Sequence, residues 1–268
     1  MKTRRLGTTD IYLTTIGIGT WPMAGSGRSG WGPQDDQDSI NSIRLGLERG
    51  INWIDTAPNY GLGHSEEVVG KAIKGIAVKP FISTKCLFMW KPDGTPVRRL
   101  DRERVRIQCE NSLKRLDLDT IDMYMIHWPN PVEGELLGYC QKNGIGVIVY
   151  SPLQQGLLTG VIKSINDLAA DDVRRRNPQF KEPSFSANLS LAKELDSISQ
   201  KYGRSVAQLA IAWVLRRPEV TSAITGPRIP SEIEDTIKAG EWQLTKEDVD
   251  AIEKLLKKRQ ETTNSTQR

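Results

Sequence analysis

The 268-residue sequence lacks the features that mark several classes of protein. It has only three cysteines, Cys86, Cys109 and Cys140, and their spacing fits neither a metal site nor a redox pair. An odd number of cysteines without a framework is typical of a reducing cytoplasm. The sequence also has no apolar run long enough to cross a membrane, and no signal peptide. We therefore expect a cytoplasmic protein with no metal site and no membrane partner.

An excess of charge of one sign is also lacking. The chain carries 37 basic and 33 acidic residues, for a net charge of +4, and no basic stripe with interleaved aromatic residues is visible. This pattern argues against a nucleic-acid partner. With 38% hydrophobic and 26% charged residues, the composition is that of an ordinary globular protein. The length suits one α/β barrel or two average domains.

Strand-like and helix-like segments alternate after a predicted N-terminal β-hairpin at residues 4–6 and 12–13. Alternation of this kind predicts parallel strands joined by crossover helices. No internal linker is visible, so we expect a single domain over residues 1–268. Residues 87–100 are predicted to form a loop. Helices are predicted at 133–142 and at 206–216, the second with Ser205 as its N-cap. Six runs predict barrel strands, at 15–21, 52–56, 80–85, 121–126, 145–150 and 221–224.

Four polar residues stand at or near the ends of these strand-like runs. Asp55 lies in the second run and Tyr60 follows it, Lys85 ends the third run, and His127 follows the fourth. The carboxyl ends of consecutive parallel strands share the face on which βα barrels carry out chemistry. A carboxylate, a tyrosine, a lysine and a histidine that meet there form a proton-donating site. Each has an ordinary structural interpretation when taken singly, so the hypothesis depends on their joint occurrence.

Several short motifs, taken together and in order, resemble the aldo-keto reductase family of NADPH-dependent carbonyl reductases. The resemblance covers nearly the whole chain, and implies a TIM-barrel-type (β/α)8 fold and reduction of a small aldehyde or ketone to an alcohol. The matching segments are 18–21, 55–61, 65–66, Lys85, 116–127, 150–153, 156–160 and 224–228.

Carbonyl reduction gives each of the four polar residues a role, because a hydride must reach carbon and a proton must reach oxygen. Tyr60 is the candidate acid, and its ordinary pKa of ~10 is too high for easy cycling near neutral pH. An ammonium group at Lys85 would lower that pKa, and Asp55 would hold Lys85 in place. His127 would donate a hydrogen bond to the carbonyl oxygen.

NADP(H) is the expected cofactor. Glycines at positions 17 and 19 suggest a dinucleotide turn, but Pro22 stands where the third glycine is required, which argues against a Rossmann turn. Residues 226–228, ahead of a predicted helix at 231–239, are the better candidate because a helix N-terminus binds phosphate. Arg228 can pair with a 2′-phosphate, which favours NADP over NAD, although an ordinary loop arginine is the alternative.

The resemblance implies further contacts with the cofactor and a substrate pocket. The family often has an amide at the two positions that Glu232 and Thr236 occupy here, so the chain departs from the family pattern near the adenine. Trp21, Trp90 and Trp128 could line an apolar substrate pocket, with core or rim packing as the alternative. The implied cofactor-binding residues are Gly19, Thr20, Trp21, Asp55, Ser151, Leu153, Gly156, Leu158, Ile224, Gly226, Arg228, Glu232, Asp235 and Thr236.

The resemblance breaks after Pro131. The segment from Val132 onward matches the part of the family that follows the sixth strand, so two βα units, ~60 residues of a ~250-residue barrel, have no counterpart. In the family the absent part carries the Ser-Asn pair and the glutamine that hold the nicotinamide carboxamide. We therefore expect an incomplete barrel of six strands. The strands flanking the junction either pair directly or leave two open edges.

Two functions are open at this point. The chain is either an NADP-dependent aldo-keto reductase, or a non-catalytic nucleotide-binding or interaction module that has lost the nicotinamide-binding segment. The set of four polar residues can be complete under either function. The sequence gives neither the carbonyl substrate nor the oligomeric state.

Overall fold

The computed structural model describes residues 1–27, 30–90, 96–98, 101–127 and 136–265. The strands are β1 (Thr3–Arg5), β2 (Tyr12–Thr14), β3 (Ile16–Gly19), β4 (Trp53–Asp55), β5 (Phe81–Cys86), β6 (Phe88–Trp90), β7 (Pro96–Arg98), β8 (Met123–Ile126), β9 (Val147–Val149) and β10 (Val220–Thr225). The α-helices are α1 (Asp36–Glu48), α2 (His64–Ile73), α3 (Arg102–Leu116), α4 (Leu136–Lys142), α5 (Ser184–Ser199), α6 (Val206–Leu215), α7 (Pro230–Thr236) and α8 (Lys246–Ser265).

Six parallel strands form one sheet in the order β8-β5-β4-β3-β10-β9. The sheet is half of a barrel, with helices on its outer face, and β1 and β2 form a separate antiparallel hairpin. The predicted α/β class, the N-terminal hairpin and the six barrel strands are confirmed. That the whole chain is a single domain stays a prediction.

Side-chain caps fix where several helices begin. The carboxylate of Asp35 accepts a hydrogen bond from the backbone N–H of Asp38 at the start of α1, and Asp101 caps α3 in the same way. Ser205, expected to precede a helix, caps α6 through the N–H of Gln208. Such caps satisfy backbone donors that a helix cannot pair internally, so these sequence signals place helix starts well.

The period-two alternation of the strands builds two apolar regions. Ile18, Ile54 and Ile82 point outward and pack with α1 and α2 in the largest core cluster. Trp53 points into the half-barrel, where its Nε1–H donates to the carbonyl oxygen of Thr14 and to Ser222 Oγ, both at 3.2 Å. A Cβ atom on Gly17 would lie 2.0 Å from the Trp53 ring, so only glycine fits there.

The prediction of a loop at residues 87–100 is wrong in part. Within it, β6 and β7 pair as an antiparallel hairpin, with Phe88 opposite Arg98 and Trp90 opposite Pro96. Proline and glycine in this segment favoured a loop, but they also suit the connection of a hairpin. The predicted helix at 133–142 is described from Leu136, where α4 begins.

The two strands that flank the predicted junction do not pair with each other in the described sheet. β8 has β5 as its neighbour and β9 has β10, so the two strands form the outer edges. Of the two arrangements expected from the sequence, the structure therefore shows open edges.

Candidate active site

The carboxyl ends of β4, β5 and β8 bring together the four predicted polar residues. Asp55 ends β4, Lys85 lies one residue before the end of β5, and His127 follows β8. Tyr60 begins a short 3-10 turn after β4. All four residues are buried.

Lys85 is the centre of the cluster. Its Nζ donates to Asp55 Oδ1 at 2.8 Å, to Asp55 Oδ2 at 2.7 Å and to the carbonyl oxygen of Thr56 at 2.9 Å. The hydroxyl oxygen of Tyr60 lies 3.4 Å from the same ammonium group. Asp55 Oδ1 also accepts from Ser83 Oγ at 3.0 Å. The predicted contact of tyrosine, lysine and carboxylate is present.

A turn of unusual backbone conformation holds Tyr60 in place. The next three residues, Gly61, Leu62 and Gly63, have φ values of 61°, 57° and 102°. A Cβ atom on Gly61 would lie 2.5 Å from the carbonyl oxygen of Ala24, so glycine is required there. The turn reverses the chain between the tyrosine and α2, which keeps the phenol over the strand ends.

Aromatic rings flank the phenol on two sides. The Tyr60 ring stacks on Trp21 with centroids 6.0 Å apart, and meets the His127 imidazole edge-on at 5.8 Å. Phe88 also packs edge-on against the imidazole, with ring centroids 5.5 Å apart. The hydroxyl and the imidazole therefore share one small space with apolar walls.

Burial sets the protonation states in this space. It raises the pKa of the Tyr60 hydroxyl; the Lys85 ammonium opposes that shift, and the Asp55 carboxylate adds to it. Burial lowers the pKa of Lys85, but the Asp55 charge and the contacts of both neighbours outweigh it, so that pKa is raised overall. The expected lowering of the tyrosine pKa is thus opposed here, and the phenol stays protonated beside a charged lysine.

His127 is held neutral. Burial, and then the nearby Lys85 ammonium, lower the pKa of its imidazole to about 3. A neutral imidazole carries one N–H and can donate one hydrogen bond to a carbonyl oxygen. The arrangement therefore offers a protonated phenol and a neutral imidazole on neighbouring strand ends.

Sequence reasoning missed several residues around this cluster. Ser83 and Thr56 contact Asp55 and Lys85 directly, and Ser83 had a signal, since it lies two positions before Lys85 on the same face of β5. Trp31 had none. It follows β3 by twelve residues, yet its ring packs edge-on against Trp21 at 5.5 Å.

The first group of predicted cofactor residues lies beside the cluster. Gly19 ends β3, and Thr20 Oγ1 donates to Thr56 Oγ1 at 2.9 Å. The backbone N–H of Thr20 donates to the carbonyl oxygen of Asp55, which ties the ends of β3 and β4 together. Their role toward a cofactor stays a prediction.

The second group lies in the loop that follows β9. Ser151 has a φ of 51° and Gly156 a φ of 96°, while Leu153 and Leu158 pack against apolar core clusters. Arg174 supports this loop because its Nη1 donates to the carbonyl oxygen of Gln155 at 3.0 Å. The loop is thus preformed, and its contact with a pyrophosphate stays a prediction.

The third group follows β10, where Ile224 lies in the strand and Gly226 just after it. Arg228 Nε donates to Gln34 Oε1 at 2.8 Å, and the backbone N–H of Arg228 donates to the Glu232 carboxylate at 2.6 Å. The Arg228 side chain forms no ion pair within the described residues. Its guanidinium therefore carries a charge that a phosphate could neutralise.

Two other residues of this group have partners inside the chain. Asp235 accepts from Ser205 Oγ and from Gln208 Nε2, both at 2.7 Å, and so joins α7 to α6. Thr236 Oγ1 donates to the carbonyl oxygen of Glu232 at 2.8 Å. The helix begins at Pro230 rather than Ser231, with Ile229 before it and no side-chain cap.

The predicted substrate-pocket tryptophans have different outcomes. Trp21 stacks on Tyr60, and its place in a substrate pocket stays a prediction. Trp90 ends β6, and its side chain is outside the described part of the structure. Trp128 lies outside the described residues.

The described residues contain neither a metal-binding cluster nor a membrane-spanning helix. No group of three or more histidine, cysteine, aspartate or glutamate side chains there could hold a metal ion. None of the helices in those ranges combines the length and apolar character needed to cross a bilayer.

Comparison with known proteins identifies relatives for this arrangement. A sequence profile of the Aldo/keto reductase family matches residues 15–134 and 131–257. The two matches meet at residues 131–134, where the sequence places the missing units.

Individual proteins are also similar to this chain over most of its length. Aldo-keto reductase YhdN of Bacillus subtilis (strain 168) is 32% identical over 314 aligned positions, which include 96% of this chain and 94% of the relative. An NADH-specific methylglyoxal reductase of Escherichia coli (strain K12) is 29% identical over 89% of this chain and 93% of its own. The solved glycerol dehydrogenase of Gluconobacter oxydans superposes with a TM-score of 0.83 at 29% identity, covering 96% of this chain and 95% of that one.

Proposed function

This chain belongs to the aldo/keto reductase family, and from that membership we propose that it reduces aldehydes or ketones to alcohols with a hydride from NADPH and a proton from Tyr60. Relatives in the family are oxidoreductases that use nicotinamide cofactors and act on small carbonyl compounds. One observation supports Tyr60 as the proton donor. The Lys85 ammonium contacts the Asp55 carboxylate and the Tyr60 hydroxyl in one buried cluster.

The chain's own groups supply the proton. Tyr60 is protonated in the resting site, so its O–H can be donated to the carbonyl oxygen as the carbonyl carbon accepts hydride. The resulting tyrosinate lies 3.4 Å from the Lys85 ammonium, which stabilises the negative charge until a proton from solvent restores the phenol. His127, which is neutral, orients the oxygen with its single N–H.

The residues beyond the proton-donating cluster fit a dinucleotide phosphate in part. Arg228 offers a guanidinium without an ion-pair partner in the described chain, which suits a 2′-phosphate, and the loop at 151–160 offers a backbone of fixed conformation. A bound nicotinamide would supply the hydride. No counterpart of the family's carboxamide-holding residues can be assigned in the sequence, so this chain holds the phosphate end better than the ring.

Replacement of Tyr60 by phenylalanine tests the proton donor. We expect aldehyde-dependent oxidation of NADPH, followed under single-turnover conditions, to fall about 10²- to 10⁴-fold in Tyr60→Phe. Tyr202→Phe is the matched control, because that exposed tyrosine lies outside the cluster and donates its hydroxyl to Asp248 in the first turn of α8. Equal rates for wild type and Tyr60→Phe would show that another group donates the proton.

Calorimetric titration with NADPH and NADH tests the cofactor preference, which the NADH-specific relative makes a real question. A charge-assisted contact from Arg228 contributes about 1.5–3 kcal/mol, so Arg228→Ala should bind NADPH roughly ten- to a hundredfold more weakly and NADH equally well. Arg217→Ala is the control, since Arg217 precedes β10 at its opposite end. Equal affinity of the wild type for both cofactors would contradict the proposal.

A second candidate function is a non-catalytic nucleotide-binding or interaction module. The observation that favours it is the open side of the sheet, where the two βα units are absent. NADPH binding in calorimetry together with no aldehyde-dependent oxidation, in a chain whose intact mass confirms continuity across residues 131–132, would support this module over the reductase.

A further inference from the structure

The outer strands of the sheet, β8 and β9, form two open edges. Each has one hydrogen-bonded neighbour in the described sheet, β5 and β10 respectively. Within the part of the chain that the structure describes, one row of backbone N–H and C=O groups on each of these strands therefore has no neighbouring strand. This feature belongs to the fold and does not depend on the proposed activity.

The two edge strands are short, and the pairing of β9 with β10 shifts register between Val220 and Ser222, but neither edge strand contains a residue that blocks pairing with a further strand. β8 reads Met-Tyr-Met-Ile and β9 reads Val-Ile-Val, with no charge, proline or glycine. Proteins commonly blunt exposed edges with lysine, proline or bulges. The hairpin strand β1 shows the contrast, since it contains two arginines. Ile126 at the end of β8 and Ile145 before β9 are 52% and 49% exposed, which leaves apolar surface at both edges.

The two edges are complementary in direction. All six strands are parallel, so the open side of β8 and the open side of β9 are opposite edges of a sheet with one polarity. A two-fold axis along the strands brings β8 of one copy beside β9 of another in parallel. The same operation forms the second β8–β9 pair, so both copies are covered at once.

We propose that the chain associates with a second copy of itself, the β8 edge of each half-barrel pairing with the β9 edge of the other. The sheets of the two half-barrels then join at both edges and form one continuous, closed sheet. A foreign peptide could cover only one edge at a time with one strand, whereas a second copy satisfies both with the polarity they require. The second copy is therefore the occupant that these edges fit.

Sedimentation and light scattering over a wide range of protein concentration test the proposal. The wild type should run at twice the mass of the chain. Ile126→Lys and Ile145→Lys place a charge at each edge on exposed positions, and each should weaken self-association at least about tenfold. Val78→Lys is the control, because Val78 is 83% exposed between α2 and β5, away from both edges. In protein dilute enough for the wild type to be monomeric, all three variants should have the urea midpoint of the wild type, because association of folded copies otherwise raises that midpoint.

Amide hydrogen exchange gives a second readout that does not require any variant. Amides of residues 123–126 and 147–149 should exchange more slowly in concentrated than in dilute protein, while those of β1 stay unchanged. A monomer at every concentration, a dimer unaffected by both edge variants, or protection elsewhere than in β8 and β9 would overturn the proposal. Growth into long assemblies would overturn the closed pairing.

Discussion

The two sides of the half-barrel differ in how completely they are built. On the complete side, β3, β4, β5 and β10 each have two neighbours, and Ile16, Trp53 and Ile54 are fully buried. On the open side, β8 and β9 have one neighbour each, and all three residues of β9 are only partly buried. The same barrel architecture thus gives a rigid, buried region and an edge region in one chain.

The four polar residues of the site are divided between the two sides. Asp55, Tyr60 and Lys85 belong to the complete side, where hydrogen bonds of 2.7–2.9 Å fix the lysine. His127 follows β8, an edge strand. The proton donor is therefore held by the complete region, and the group that orients the substrate depends on the open one.

The largest expected effect comes from breaking the buried pair on the complete side. Lys85→Met leaves the Asp55 carboxylate buried without its ammonium and should cost about 3–5 kcal/mol in the free energy of unfolding, measured by urea denaturation. The double variant Asp55→Asn/Lys85→Met removes both charges and should cost less than the two single variants combined. A loss below about 1 kcal/mol in Lys85→Met would mean that the pair does not organise this side.

Completing the open side should have the next largest effect. Insertion of two βα units from a relative between Pro131 and Val132 supplies neighbours for β8 and β9 and restores ring-holding residues. Because a misplacement of ~1 Å can cost about a hundredfold in rate, we expect aldehyde-dependent turnover to rise at least about a hundredfold. NADPH affinity should change much less, as its phosphate contacts are already present.

The control for that insertion is the uninterrupted 268-residue chain, checked by intact mass. Vigorous NADPH oxidation by this chain would contradict the expectation, and would show that residues on the complete side also hold the nicotinamide ring. Insertion should also abolish the proposed edge pairing, which sedimentation would record in the same samples.

Acid should lower the free energy of unfolding through His127, which lies where the open side meets the complete side. The imidazole has a pKa of about 3 in the folded protein against an ordinary 6.5, so the unfolded chain takes up a proton that the folded chain does not. The contribution to stability is complete above about pH 6.5 and is lost progressively toward about pH 3. Between about pH 7.5 and pH 4.5 the loss amounts to about 2–3 kcal/mol.

Urea denaturation at the two pH values, compared between wild type and His127→Gln, isolates this contribution. The variant should lose about 2–3 kcal/mol less than the wild type on acidification. If both proteins lose the same amount, the imidazole titrates normally and the open side admits more water than the structure indicates.

Equivalent truncations on the two sides should show the smallest difference. Ile54→Ala removes a fully buried side chain from the complete side and should cost about 2–5 kcal/mol. Ile148→Ala removes a partly buried side chain from β9. Its cost in the free energy of unfolding should be at least about 1 kcal/mol smaller than that of Ile54→Ala. Urea denaturation at low protein concentration, where self-association is weakest, makes the comparison. Equal costs would show that β9 is as well packed as β4.

Local signals in the sequence were enough for much of the fold. Alternation of strand-like and helix-like runs predicted all six barrel strands, and Ser205 predicted the start of α6. The β6–β7 hairpin was not predicted, because proline and glycine at 87–100 indicate a turn without saying whether the flanking residues pair. Pairing is a property of two segments, and a single run does not report it.

The shared face of Asp55, Lys85 and His127 follows from the sequence, since residues near the carboxyl ends of parallel strands lie on one face. The tertiary structure sets the protonation states, because burial of Tyr60 raises a pKa that the nearby ammonium alone would lower. It also decided that Trp31 joins the aromatic wall and that β8 and β9 remain edges. These outcomes depend on distances between segments far apart in the chain, which no local pattern encodes.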